Sequence, residues 1–234
     1  LLGDYFDARQ IIAAGNPTAP GLGARISRND QLFSVRVNTG VNRAYVPGVL
    51  REDGRLNRPT SASGMAPYRG DQFPASYAAD VFVAEPAANA IAQLRVNQEG
   101  LELSTEHVLY PNKEWGQVEF FASTDERFRP VDVEVGPDGA LYVVDMYRGI
   151  IQDHYFLSDE LRAQVLERKL DKPVGMGRIW RVTADRGAPL RPAPKLGTAS
   201  RSELIELLGA KNAWQRETAQ RLLLVDKSRG LSRA

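Results

Sequence analysis

Three features of this 234-residue sequence predict a mainly β fold. The apolar runs Val81–Ala84 and Leu141–Val144 have the length of buried strands, and each ends at an acid, Glu85 or Asp145. The runs begin 60 residues apart, and the second follows a tight Asp138-Gly139 turn. Because a sheet unit recurring at such an interval is typical of a β-propeller, we expect blades of that fold.

The other predicted elements of residues 1–185 follow from local patterns. Alternating or continuous apolar residues predict further strands at 31–37, 91–96, 101–110, 118–121, 131–135 and 178–182. A helical insertion is predicted at about residues 157–171, because Ser158 is a suitable N-cap and Leu161 and Val165 lie on one helical face. Residues 1–185 are therefore predicted to be a partial propeller.

The pattern changes after residue 185. Residues 186–199 are rich in Gly, Pro and Ala, which is typical of a linker. Ser200 with Glu203 forms a capping box before an amphipathic run, and Asn212 with Gln215 repeats the pattern. Residues 200–234 are therefore predicted to be an αα-hairpin of the HEAT type.

Composition excludes several classes of function. The net charge of +1 gives no basic field for a nucleic-acid partner. No apolar run approaches the ~18 residues of a transmembrane helix. Since the chain has no cysteine, it holds no thiol nucleophile, no thiolate metal site and no haem attached through Cys-x-x-Cys-His.

Two long motifs suggest a family. Phe121–Asp132, continued by Asp145–Gln152, and Lys172–Val182 resemble the membrane-bound dehydrogenase-like proteins, whose propeller is similar to the glucose/sorbosone dehydrogenases. Trp214–Leu223 is similar to the HEAT-type repeat that follows that propeller. The resemblance covers roughly residues 30–225. It implies the C-terminal blades of a six-bladed β-propeller in a periplasmic or otherwise exported protein.

The resemblance also implies a function. Such a protein oxidises a sugar, polyol or alcohol with pyrroloquinoline quinone (PQQ) and calcium, and passes the electrons to a cytochrome c domain or a similar acceptor. Two alternatives stay open. The chain is then either a non-catalytic propeller and HEAT scaffold that binds a glycan or a protein, or a calcium-dependent propeller hydrolase or lactonase.

Candidate site residues lie where two strands of neighbouring blades are expected to end at one mouth of the channel. Arginine offers a planar, permanently charged fork to the quinone carboxylates. The residues proposed to contact the cofactor are Arg129, Arg148, Tyr147, Arg43 and Arg69.

Glu85 and Asp145 are the candidate calcium ligands, because calcium prefers carboxylate oxygens. No catalytic base is assigned, and His154 is the candidate for that role. Each residue also has a structural interpretation. The acids then accept backbone N–H groups at blade corners, Arg129 and Arg148 pair with the acids, and His154 lies at the surface.

Overall fold

The computed structural model of the chain describes residues 31–37, 46–78, 80–100, 102–185 and 192–225. Arg43, residues 186–191 of the predicted linker and residues 226–234 of the predicted αα-hairpin lie outside the described residues. Within them the chain is mainly β, with antiparallel strand pairs and few helices. In this part of the chain, no helix is long and apolar enough to cross a membrane.

The strands form sheets in which neighbouring strands are mostly consecutive in the chain. The first sheet contains β1 (Met65–Pro67), β2 (Val81–Glu85), β3 (Ala90–Glu99) and β4 (Glu102–Val108), with β7 (Phe121–Ala122) pairing with the start of β3. A separate hairpin contains β5 (Tyr110–Asn112) and β6 (Gly116–Val118). The second sheet has the order β10-β9-β8, from β8 (Pro130–Val135), β9 (Leu141–Asp145) and β10 (Arg178–Val182). Pairing between strands that are consecutive in the chain is typical of meander sheets.

Strand β2 has the predicted burial, because all five of its residues are buried. It pairs antiparallel with β3, from Val81 opposite Leu94 to Glu85 opposite Ala90. Strand β3 extends beyond the predicted end at residue 96, because its ladder with β4 continues to the pair Glu99 and Glu102.

The predicted strand at residues 31–37 is wrong, since these residues form no strand. Their alternating burial is present, with Leu32 and Ser34 inside. The backbone, however, bonds with irregular partners. The N–H of Leu32 donates to the carbonyl of Asn57 at 3.1 Å, and the N–H of Phe33 donates to the side chain of Glu119 at 2.9 Å. Burial therefore alternates at every second residue here although the segment has no hydrogen-bonded partner strand.

Three α-helices lie within the described residues. In α1 (Asp159–Glu167), the hydroxyl of Ser158 caps the N-terminus and Leu161 and Val165 pack with Leu170. Helices α2 (Arg201–Leu207) and α3 (Ala213–Val225) form a hairpin around a small apolar cluster.

One of the two predicted capping boxes is present. The box of Ser200 and Glu203 is confirmed, with both reciprocal hydrogen bonds formed. The second box is not formed as predicted. Asn212 Oδ1 accepts the N–H of Trp214 at 2.9 Å, but the Gln215 amide donates to the carbonyl of Pro137 at 2.7 Å. The Gln215 side chain is therefore used in a tertiary contact rather than in a local cap.

The described chain divides into two compact units. The first takes its described residues from 1–66, 80–133 and 143–180, and the second from 67–79, 134–142 and 181–234. Within the second unit, Asn212 Nδ2 donates to the carbonyl of Gly136 at 3.0 Å and the N–H of Ala213 donates to the carbonyl of Arg69 at 2.9 Å. The second unit therefore groups the helical hairpin with earlier parts of the chain, and the boundaries at residues 185 and 200 stay a prediction.

Gly64 joins the two sheets within the first unit. Its N–H donates to the carbonyl of Val131, and its own carbonyl accepts the N–H of Ala84, both at 2.9 Å. A Cβ atom at this position would overlap the backbone and the carboxylate of Asp132. The close approach of the two backbones therefore requires glycine.

We predict that Gly64→Ala lowers the free energy of unfolding by about 1–3 kcal/mol, because the added methyl overpacks a backbone contact. Urea denaturation measures the change. Gly177→Ala is the matched control, since a Cβ at Gly177 meets only carbonyl oxygens at ordinary distances of 3.5 and 3.7 Å. Equal destabilisation by the two substitutions would contradict the steric account.

Candidate functional site

Asp145 organises the end of β9. Its Oδ1 accepts the backbone N–H groups of Arg129 and Tyr147, each at 2.8 Å, and its Oδ2 accepts the indole N–H of Trp180 at 3.0 Å. The side chain is buried. Tyr147 adopts the left-handed conformation with φ 47°, which turns the chain sharply out of the strand. The acid therefore holds three segments together at one corner.

Glu85 has the same role at the end of β2. Its Oε1 accepts the N–H of Ser61 at 3.1 Å, the hydroxyl of Ser61 at 3.0 Å and the N–H of Ala87 at 3.3 Å. The side chain is fully buried, and this burial raises the pKa of Glu85 to about 7. In both corners, the acid accepts the N–H of the second residue after it.

Arg129 connects the two corners. Its Nη1 donates to the carbonyl of Pro86 at 2.8 Å, just after β2. Its Nε and Nη2 donate to the carbonyls of Arg148 at 3.0 Å and Gly149 at 2.7 Å, just after β9. Burial, and then the nearby Arg36, lowers the pKa of Arg129 to about 10, so the guanidinium stays charged at neutral pH.

A polar network continues from this connection through Asn89. The Asn89 amide donates to the carbonyl of Phe128 at 2.5 Å, and its Oδ1 accepts from Arg36 at 2.6 Å. Arg36 also pairs with Glu126, which pairs with Arg168. Burial, and then Arg168, lowers the pKa of Arg36 to about 10. The cations of this network are thus neutralised or hydrogen-bonded inside the unit.

An aromatic surface, formed by Tyr147, Arg178 and Trp180, lies at the Asp145 corner. The Arg178 guanidinium carbon lies 3.6 Å from the Tyr147 ring centroid and 5.8 Å from that of Trp180. The hydroxyl of Tyr147 donates to Asp125 at 2.8 Å. Trp180 is 41% exposed although its N–H is bound to Asp145. The surface is therefore fixed from below and open to solvent.

The remaining described site residues differ in their surroundings. Arg148 has a buried Nε without a hydrogen-bond partner among the described residues. Arg69 lies in the second unit, where it pairs with Glu217 at 2.6 Å. His154 is exposed, with Nδ1 3.2 Å from Asp153 and its ring against Tyr155. The structure brings together Arg129, Asp145, Tyr147 and Arg148, and Arg129 connects this group with the corner of Glu85.

Glu85 and Asp145, as placed here, do not fit a calcium site. Their oxygens are occupied by N–H and O–H donors, and the described residues include no group of three or more His, Asp or Glu side chains able to hold a metal. Arg129 likewise donates to carbonyl oxygens rather than to an outside carboxylate. Among the described residues, the Nε of Arg148 lacks a hydrogen-bond partner, but this atom is buried and closed to a carboxylate from solvent.

Sequence reasoning missed Trp180, Arg178 and Asp125 as parts of this corner. Alternation along Arg178–Val182 places Arg178 and Trp180 on the same face of a strand, which is a usable signal. The hydrogen bond between Trp180 and Asp145 joins residues 35 positions apart. No local pattern predicts such a pairing.

Comparison with known proteins places the chain in a family. Residues 9–186 match the family described as Domain of unknown function (DUF7133), and the chain therefore belongs to that family. No curated protein and no solved structure matches the chain.

We predict that Asp145→Asn lowers the free energy of unfolding by about 1–3 kcal/mol, because an amide nitrogen then faces at least one buried donor. Urea denaturation measures the loss. The exposed Asp185 provides the control, and Asp185→Asn is expected to change stability by less than about 0.5 kcal/mol. An unchanged stability of Asp145→Asn would mean that the corner does not depend on the carboxylate.

The raised pKa of Glu85 predicts a dependence of stability on pH. The folded chain binds the Glu85 proton between the ordinary pKa of 4.5 and about 7, whereas the unfolded chain releases it. The contribution of Glu85 to the free energy of unfolding therefore falls as pH rises through this window. We predict that Glu85→Gln removes this fall, because Gln keeps the oxygen that accepts from Ser61 and carries no charge.

Urea denaturation of both proteins between pH 4.5 and 8 checks this prediction. The difference between the variant and the parent is expected to grow with pH in favour of Glu85→Gln. The exposed Glu52 provides the control, since Glu52→Gln is expected to follow the parent at each pH. A calcium-dependent rise in unfolding temperature that Glu85→Gln abolishes would instead assign Glu85 to a metal.

Proposed function

We propose that the chain is the C-terminal part of a β-propeller, followed by a HEAT-type repeat, which binds a glycan at the aromatic surface. Two sheets with equivalent acid corners, connected by Arg129, support the propeller assignment. Trp180 carries the functional proposal, because its ring is exposed yet fixed through Asp145. A fixed aromatic face packs against sugar C–H groups with little loss of side-chain entropy.

The charges near this surface favour an acidic sugar. Arg178 contributes a permanent cation that lies against both rings. Arginine binds carboxylates through paired N–H groups, so a uronic acid matches this combination of ring and cation. An exported or periplasmic location is part of this proposal, because such glycans occur outside the cytoplasm.

A dehydrogenase that oxidises a sugar, polyol or alcohol and passes electrons to cytochrome c is the second candidate. The resemblance of residues 121–132 and 172–182 to the dehydrogenase-like proteins supports this candidate. Glu85, Asp145 and Arg129 do not contribute to it in their present contacts. The calcium-dependent hydrolase has no observation in its favour.

Isothermal titration calorimetry of the full chain tests the glycan proposal. The probes are oligogalacturonate, a neutral cello-oligosaccharide of equal length, and PQQ with and without calcium. We predict saturable binding of oligogalacturonate that Arg178→Ala weakens about tenfold, equivalent to about 1.4 kcal/mol. Trp180→Phe is expected to weaken it less, because a smaller ring remains.

Trp115→Phe is the matched control, since Trp115 lies between β5 and β6, outside the aromatic surface, and its loss is expected to leave binding unchanged. Equal binding of both oligosaccharides, unaffected by Arg178→Ala, would restrict the proposal to neutral glycans. Absence of binding to both oligosaccharides would contradict the glycan proposal. Calcium-dependent PQQ binding that Arg148→Ala abolishes would establish the second candidate instead.

A further inference from the structure

A groove lies beside the C-terminal end of α1, within the first unit. Its volume is about 870 Å³, and its lining includes Arg127, Lys169 and Lys172 as cations and Asp171 as an acid. Leu166 and Val174 supply large apolar side chains to the same groove. We call this feature the basic groove. None of these residues belongs to the aromatic surface.

The apolar side chains of the basic groove are unusually exposed. Leu166 is 62% exposed and Val174 is 60% exposed. By contrast, Leu161 and Val165 on the same helix are buried in the cluster that holds α1 to its surroundings. The helix is therefore packed without Leu166. Large apolar side chains that line one groove and stay open to water are typical of interaction sites.

The cations of the groove are arranged around the helix end. Arg127 donates from Nε to the carbonyl of Lys172 at 3.3 Å and from Nη2 to that of Lys169 at 3.1 Å. These contacts fix the guanidinium and leave Nη1 without a bond to a described residue. The ammonium groups of Lys169 and Lys172 form no ion pair within the described residues. With Asp171 as the acid, the groove has a positive excess.

The shape and charge of the groove distinguish between classes of ligand. A small-molecule site encloses most of its ligand, whereas here two lining side chains are more than half exposed. Anionic membranes are bound by clusters of about four to eight basic residues, more than the three cations of the groove. A protein segment is compatible with an open groove, and its charge and apolar content can complement the lining.

We propose that the basic groove docks an acidic segment of a partner protein that carries large apolar side chains. The apolar side chains pack on Leu166 and Val174, and carboxylates pair with Lys169, Lys172 and the remaining donor of Arg127. This docking site is independent of the glycan proposal, because it uses none of the residues of the aromatic surface.

Fluorescence anisotropy with the full chain tests the proposal. The probe is a fluorescein-labelled peptide with two leucines four residues apart among aspartates and glutamates, and its partner probe has serine in place of both leucines. Saturable binding is expected for the leucine peptide, weakening as salt rises. Lys169→Glu with Lys172→Glu is expected to weaken it about tenfold or more, and Leu166→Asn also to weaken it.

The matched control is Lys113→Glu with Lys195→Glu, which reverses the charge of two exposed lysines outside the groove. This variant is expected to leave binding unchanged. Absence of saturable binding would overturn the proposal. Equal binding of the serine peptide, or an equal loss in the control variant, would overturn it too, because attraction would then be non-specific. Vesicles containing phosphatidylserine are tested in parallel, and binding to vesicles but not to peptide would replace the protein partner with a membrane.

Discussion

The connection made by Arg129 is the constraint on which the described first unit depends. One buried guanidinium donates to the carbonyl of Pro86 after β2 and to the carbonyls of Arg148 and Gly149 after β9. Buried carbonyls that lose a donor are expensive, because water does not replace it. Lysine cannot reproduce the planar fork that reaches several carbonyls at once. One side chain therefore connects the ends of the two sheets, in addition to the backbone contact at Gly64.

The two acids extend this constraint into their own corners. Glu85 holds the segment at Ser61 against β2, and Asp145 holds the segment at Arg129 against β9. Asp145 also accepts the indole N–H of Trp180, so its corner fixes an exposed ring while the corner of Glu85 stays fully buried. The acids at the two equivalent strand ends thus have partners that differ in exposure. At the first, the acid is enclosed, and at the second, it orients an exposed ring.

Local sequence patterns predict the features of the fold that depend on interactions between neighbouring residues. Strands β2 and β9, the acids at their ends and the capping box at Ser200 are readable because each signal involves only neighbouring residues. The bond between Trp180 and Asp145 and the carbonyl partners of Arg129 depend on residues far apart in the chain. Residues 31–37 show the same limit, since their burial alternates but their backbone partner is the side chain of Glu119. The sequence predicts a cap at Gln215 because its tertiary partner, the carbonyl of Pro137, lies 78 positions away in the chain.

The carboxylate of Asp145 already accepts three hydrogen bonds, whereas the ring of Trp180 beside it is exposed. A metal or quinone that bound Asp145 would compete with these three N–H donors, and each donor left unpaired costs about 1–3 kcal/mol. A glycan that packs on Trp180 displaces only water, and it meets a ring already held in place. The hydrogen bond from Trp180 to Oδ2 of Asp145 therefore has two effects: it occupies the acid, and it fixes the ring at which we propose a glycan binds.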